Sequence, residues 1–159
     1  MNTQSSIDIS IIFIANNLEG TINSDIKWGG LYDLIKRTKI VSNHDNIITA
    51  FKPFDLVSRE QYQLLKQKLL SEKEGRFVTQ ETIGYSLNAE LFRIRGHDHE
   101  RTKRDLLCRV ILRTEIHDNY KNIINDIAPI EYIDVDLYDK IVEKLLAEKE
   151  RTKMKNLNI

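Results

Sequence analysis

Leu106–Ile116 is the run that most constrains the fold of this chain. Cys108, Val110, Leu112, Thr114 and Ile116 fall on alternate positions, while Arg109, Arg113 and Glu115 share the other set with Leu107 and Ile111. A period of two is the pattern of a half-buried β-strand. Ser6–Ile14 repeats the pattern: Ile7, Ile9, Ile11 and Phe13 alternate, and Ile12 and Ile14 make the opposite face apolar too. Such a run reads as a central strand, covered on both sides.

The rest of the chain fills in around these two runs. Residues 16 to 27 read as a polar loop. Trp28-Gly29-Gly30 reads as a tight turn into a helix over Leu31–Lys39, and Ile47–Phe51 as a strand stopped by Pro53. Ser58, Gln61 and a Val57–Tyr62 staple predict a helix start, Tyr62, Leu65 and Leu69 its buried face, and Gly75 its end. Phe77–Arg95 is ambiguous. Ile83, Leu87, Leu91 and Ile94 fit a helical stripe, but Gly84, Ser86 and Asn88 weaken a helix, so a strand is preferred. A helix over Asp118–Asp126, a strand over Ile130–Val135 and a final helix capped by Asp136 complete the order β-α-β-α-β-β-α-β-α. Leu137, Ile141, Val142, Leu145 and Leu146 form the last helix's expected buried stripe. The fold class expected is α+β: a mixed, mostly antiparallel sheet with helices on one face, ferredoxin-like in spirit. One domain over 1–150 and a basic, frayed tail over 151–159 are expected, with no internal repeat.

Lys+Arg and Asp+Glu both number 24, so the net charge is zero and no global field favours nucleic acid or membrane. Cys108 is the one cysteine, which excludes an intrachain disulfide and a cysteine zinc site and reads as a buried thiol. No apolar stretch approaches the roughly 18 residues of a membrane span. Residues 1–6 carry no basic residue ahead of Ile7–Ile14, unlike a signal peptide, so a cytoplasmic protein is expected. Abundant Ile, Asn, Lys and Asp point to an AT-rich genome, bacterial or phage.

Chemistry concentrates between Arg93 and Asp105. His97 and His99 have the spacing of an H-x-H metal pair, with His117 or Asp118 as a third ligand, though Gly96 and the charge density favour a solvated hairpin tip. His97-Asp98-His99 is similar, in spacing alone, to the histidine pair of rolling-circle and transposase nucleases, with Tyr120 or Tyr138 in the nucleophile's place. Asp98 stands where that family has a hydrophobic residue, and membership is not claimed. If Ala89–Arg95 pairs with Leu107–Arg113, then Arg93, Arg95, Arg109 and Arg113 share one sheet face beside Arg101, Lys103 and Arg104. That face would suit phosphate groups. The plainer reading has the arginine stems covering a half-exposed sheet. Glu131, Asp134 and Asp136 are a carboxylate set for Mg²⁺, with helix capping the simpler role for Asp136. Trp28 is a core residue in the plain reading and a partner-contact residue if exposed.

With no spaced catalytic motif, the function expected is that of a small non-enzymatic binding protein, of bacterial or phage type, acting by protein–protein contact as an inhibitor, immunity or assembly factor. It would use no cofactor. The alternative is a protein that binds or processes nucleic acid or a nucleotide through the arginine face and the His97/His99 turn, with a divalent metal.

Overall fold

The computed structural model describes residues 5–18, 21, 23–51, 59–76, 80–127 and 135–157, with side chains through Met154. These form eight helices: α1 (Ile7–Leu18), α2 (Ser24–Arg37), α3 (His44–Phe51), α4 (Arg59–Lys73), α5 (Ile83–Arg93), α6 (Glu100–Arg113), α7 (Tyr120–Ile127) and α8 (Val135–Leu157). No sheet exists among the described residues; the one β-type contact is an isolated bridge between Ser5 and Thr114. The α+β expectation is overturned, and the fold is a helical bundle.

The reason lies in how the helices are covered. Helix α6 packs against α1, α2, α5 and α8, so Leu106, Leu107, Cys108, Val110 and Ile111 are all buried. A helix enclosed on most sides loses the one-faced 3.6-residue stripe, and the residual spacing of its apolar residues mimics alternation. Helix α1 misleads for a different reason: Ile7, Ile11, Ile14, Ala15 and Leu18 form a buried helical stripe, but the half-exposed Ile9 and Phe13 complete an apparent alternation. Two further expected strands are α3 and α5. In α5 the helical stripe Leu87, Leu91 and Ile94 is the buried one, and Thr82 caps its start by accepting from the Tyr85 N–H. The Ile130–Val135 strand lies outside the described residues except for Val135, which opens α8.

Other expectations hold. Helix α4 buries Leu65 and Leu69 and ends before Gly75, whose φ of 76° is the left-handed conformation that suits glycine. Its expected cap and staple, Ser58 and Val57, lie outside the described residues. Helix α7 stands where a helix was expected, and α8 buries Ile141 and Leu145 while Leu146 is exposed. Helix α8 runs on through Arg151 to Leu157, where a frayed tail was expected. No described helix is long and apolar enough to cross a membrane.

The bundle is built from two copies of one four-helix unit. Each of α1 to α4 has a counterpart 76 positions later in α5 to α8, and α2 and α6 match at both ends, as do α3 and α7. Left-handed residues recur at the same offset, Asn23 with His99 and Asn43 with Asn119. So do the caps: Thr38 (φ −100°, ψ 140°) ends α2, and Thr114 (φ −103°, ψ 138°) ends α6. Lys68 Nζ donates to Thr38 O (2.9 Å) and pairs with Glu72 (2.7 Å); Lys144 Nζ donates to Thr114 O (2.7 Å) and pairs with Glu148 (2.7 Å). The sequence carries the same echo in Arg37-Thr38 with Arg113-Thr114, Ile47-Ile48 with Ile123-Ile124, and Lys68-Leu69-Leu70 with Lys144-Leu145-Leu146. An internal repeat therefore exists where none was expected.

The halves are related as in a two-fold dimer. The Lys39 N–H donates to Glu81 O, and its counterpart, the Glu115 N–H, donates to Ser5 O, both at 2.9 Å. Each half thus holds the start of the other. Helices α2 and α6 meet at the pseudo-axis, where Gly30 makes room for its own counterpart, Leu106: a Cβ at Gly30 would lie 2.6 Å from Leu106 Cδ2. Trp28 and Arg104 are counterparts too, and both are buried. Trp28 meets Phe51 edge-on, with ring centroids 4.7 Å apart. Arg104 fills the equivalent place by pairing with Glu100 (2.6 Å) and donating to the carbonyls of Asp126 (3.1 Å) and Leu91 (3.4 Å).

Candidate functional site: two grooves related by the repeat

Two grooves open on the surface at equivalent places in the two halves. The first, of about 330 Å³, runs between α1 and α6 with Lys27 of α2 at its edge. Phe13, Ile14 and Leu18 come from α1, Leu106 and Leu112 from α6, and Arg109 and Arg113 complete the α6 wall. The second, of about 460 Å³, is lined by Asp33, Lys36, Arg37, Glu81, Glu90 and Arg93 of the α2–α5 side.

Charge separates them. In the second groove, Glu90 is nearly buried and braces two arginines: Arg37 Nη1 at 3.3 Å and Arg93 Nη2 at 2.8 Å. Arg37 Nε also meets Glu81 at 2.8 Å, and Arg93 Nη2 meets Asp33 at 3.1 Å. The carboxylate–guanidinium hydrogen bonds hold the pKa values of Arg37 and Arg93 above the usual range, against the opposing effect of burial. Asp33 is pushed up by burial first and by the charge of Glu90 second, with Arg93, Lys103 and Lys36 opposing. Three cations and three carboxylates neutralise this groove from within.

The first groove keeps the arginine but, among the described residues, not the acids. Arg113 is the counterpart of Arg37, but Glu81, Glu90 and Asp33 correspond to Ser5, Ile14 and Arg109. No carboxylate lines this groove among the described residues. Arg113 stacks on Phe13, its guanidinium carbon 3.3 Å from the ring centroid, and its buried Nε has no hydrogen-bond partner. Arg109 is exposed, and its Nε meets Asp105 of the same helix at 3.0 Å. The result is an apolar trough with Lys27, Arg109 and Arg113 around it, beside the half-exposed Ile9 and Phe13.

The helical fold scatters the residues expected to form one basic face. Arg93 belongs to the second groove. Arg95 sits over Phe92 and pairs with Asp126 at 3.3 Å. Arg104 is buried in the core. Arg101 and Lys103 lie on the first turns of α6. Of the set, Arg109 and Arg113 alone come together in the first groove. The sheet face on which they were to converge is replaced by helices α5 and α6, which rotate successive residues by about 100° and turn the arginines in different directions.

His97 and His99 are exposed in the turn between α5 and α6, His99 with a φ of 65°. Among the described residues, no group of three or more His, Cys, Asp or Glu stands close enough to hold a metal ion. Asp118 bonds the Thr82 hydroxyl (2.8 Å), and His117 lies 3.6 Å from Glu115. Tyr120 is buried, donating to Ile116 O (2.9 Å) and meeting Thr152 Oγ1 (2.8 Å); it repeats the contact of its counterpart His44 with Ile40 O (3.0 Å). Asp136 lies in the first turn of α8, and Glu131 and Asp134 lie outside the described residues. Trp28 is fully buried and offers no surface to a partner. Cys108 is buried, and desolvation pushes its thiol up to about 12, far from a reactive thiolate.

Sequence reasoning missed Phe13, Lys27, Asp33, Arg37 and Glu90. The Arg37/Arg113 identity within the repeat was the available signal. No protein-family model, curated protein or solved structure matches the chain.

Proposed function

We propose that the chain is a non-catalytic binding protein that acts by contact with another protein, and that the first groove is its contact surface. The observation that carries this reading is the pairing of exposed apolar side chains, Ile9 and Phe13, with Arg113, whose guanidinium meets no carboxylate among the described residues of that groove. An apolar centre with arginine at its edge is the composition of a protein-binding hot spot. The second groove, neutralised from within, has no such need. The nucleic-acid reading draws less support, because Arg93, Arg95, Arg104 and Arg109 all stand against carboxylates.

Ile9 and Tyr85 are counterparts in the repeat and are equally exposed, at 48% and 50%, which supplies an internal control. With p-benzoylphenylalanine at position 9, irradiation in the source cells is expected to give one discrete protein adduct that disappears in an Arg113→Glu background. The same photoprobe at position 85 is expected to give none. Adducts from both positions, or from neither, would count against the reading. A mobility-shift assay with DNA and RNA at about 50 mM salt tests the other reading, since phosphate contacts are strongest at low salt.

A further inference from the structure

We infer that the first groove receives a carboxylate of the partner protein, presented beside an apolar side chain, at the place where Glu81 meets the Arg37 Nε in the second groove. This rests on the reading of the first groove as a protein-contact surface. The repeat places the same arginine at the same point of the same helix twice. In the second half-site the guanidinium has two carboxylates, one on Nε and one on Nη1. In the first, the positions that supply them are Ser5 and Ile14, and the Nε is buried without an acceptor. A buried donor left unpaired is costly, and a planar guanidinium recovers that cost best against a planar carboxylate, which it meets with two parallel bonds. Arg109, standing where the second groove has Asp33, lines the same trough with its Nε on Asp105 at 3.0 Å.

The rest of the trough selects the carrier. Phe13 and Leu112 offer apolar surface over a floor of Ile14, Leu18 and Leu106, which a phosphodiester backbone does not match. Arg113 covers one face of Phe13, which leaves less of the ring for a base to stack on. An Asp or Glu next to a Leu, Ile or Phe fits both parts of the groove.

The test is selection of a displayed library of random peptides on the purified full chain, followed by fluorescence anisotropy with the enriched peptide. Expected are peptides with an acid adjacent to an apolar residue. Their Kd should weaken at least about tenfold in Arg113→Gln and in Arg109→Gln, and by a similar factor when the peptide's acid becomes its amide. Circular dichroism checks that both variants stay helical. Peptides that require Phe13 but ignore Arg113 and carry no acid would overturn the carboxylate inference and leave the groove reading standing. A library with no binder sensitive to Phe13→Ala or Arg113→Gln would overturn both. Arg113-dependent binding of a labelled oligonucleotide in place of any acidic peptide would overturn the choice of carrier.

Discussion

The two grooves occupy equivalent places in a duplicated unit, yet one pairs its repeated arginine with two carboxylates and the other, among the described residues, gives it none. The backbone is shared, so the difference comes from side chains alone: Glu90 against Ile14, Asp33 against Arg109, Glu81 against Ser5. Repetition sets a common geometry, and substitution then assigns each copy a role. The core shows the same division of labour. One half fills its central position with Trp28 on Phe51; the other uses Arg104, held by Glu100 and two carbonyls.

That core comparison carries the largest expected effect. Trp28→Ala should cost about 3–5 kcal/mol, because a large side chain leaves a cavity in a packed interior. Arg104→Ala should cost about 2–4 kcal/mol, from lost packing and two carbonyls deprived of their donor. Urea denaturation followed by circular dichroism ranks the two, and a negligible loss for Arg104→Ala would show that the position is not a core equivalent of Trp28.

Next is the α1–α3 corner, where the halves exchange partners. Asp8 accepts from Ser42 and from Asn43 (2.6 Å). Burial works against its ionisation, but those hydrogen bonds win and lower its pKa. In the second half the carboxylate comes from the opposite side: Asp118, counterpart of Ser42, bonds Thr82, and Gly84 replaces Asp8. A Cβ at Gly84 would run into the Asp118 carboxylate and backbone carbonyl. Gly84→Ala should therefore cost about 1–3 kcal/mol. Adding Asp118→Ser, the first half's residue, should recover part of it. Equal melting of the single and double variants would break the equivalence.

Writing the first groove into the second is milder. Glu90→Ile should cost about 1 kcal/mol or less, since Arg37 and Arg93 are each about a third exposed (33% and 39%), keep Glu81 and Asp33, and still reach water. It should also lower the pKa of Asp33, whose rise owes its second-largest part to Glu90. Carbon-detected NMR titration of the Asp33 carboxyl reads this directly.

The smallest effect is the pH dependence of Asp33 itself. Its folded pKa is raised above the ordinary 3.8, so between the two values the folded state binds more protons than the unfolded. Stability from this group then grows as pH falls through the raised folded pKa towards 3.8, and is lost as pH rises. Asp33→Asn should therefore make the slope of stability against pH more positive in that window, that is, acid destabilisation steeper. A more negative slope would reverse the sign.

How much of this was legible in the sequence follows from burial. Helices α4 and α7 were readable: Leu65 and Leu69 keep one buried stripe with Gly75 behind it, and Ile123 and Ile127 do the same in α7. Helix α6 was not, because it lies between several neighbours and its apolar residues face in many directions; α1 was not, because the exposed Ile9 and Phe13 alternate with Ile7 and Ile11 and mask its buried stripe. The expected arginine face followed from that misread strand, so Arg109 and Arg113 were found but their companion Phe13 was not. The repeat escaped notice because its defining pairs differ in chemistry. Trp28 with Arg104, Gly30 with Leu106, and Asp8 with Gly84 are related by position and by reciprocal packing, not by residue type. Gly75 and Arg151 show the consequence for length: glycine stops α4, and arginine at the matching place lets α8 continue.

Among the described residues, one arginine, placed twice by the repeat, meets its acids in one groove and none in the other. Urea denaturation of Arg37→Gln and Arg113→Gln tests it without any partner present. Arg37→Gln should lower stability by about 1–2 kcal/mol, because it strips a hydrogen-bonded cation from the nearly buried Glu90. Arg113→Gln should change it by about 0.5 kcal/mol or less, since only its contact with Phe13 is lost. Equal losses, or a larger loss for Arg113→Gln, would show that Arg113 already has its acid within the chain and would contradict the account.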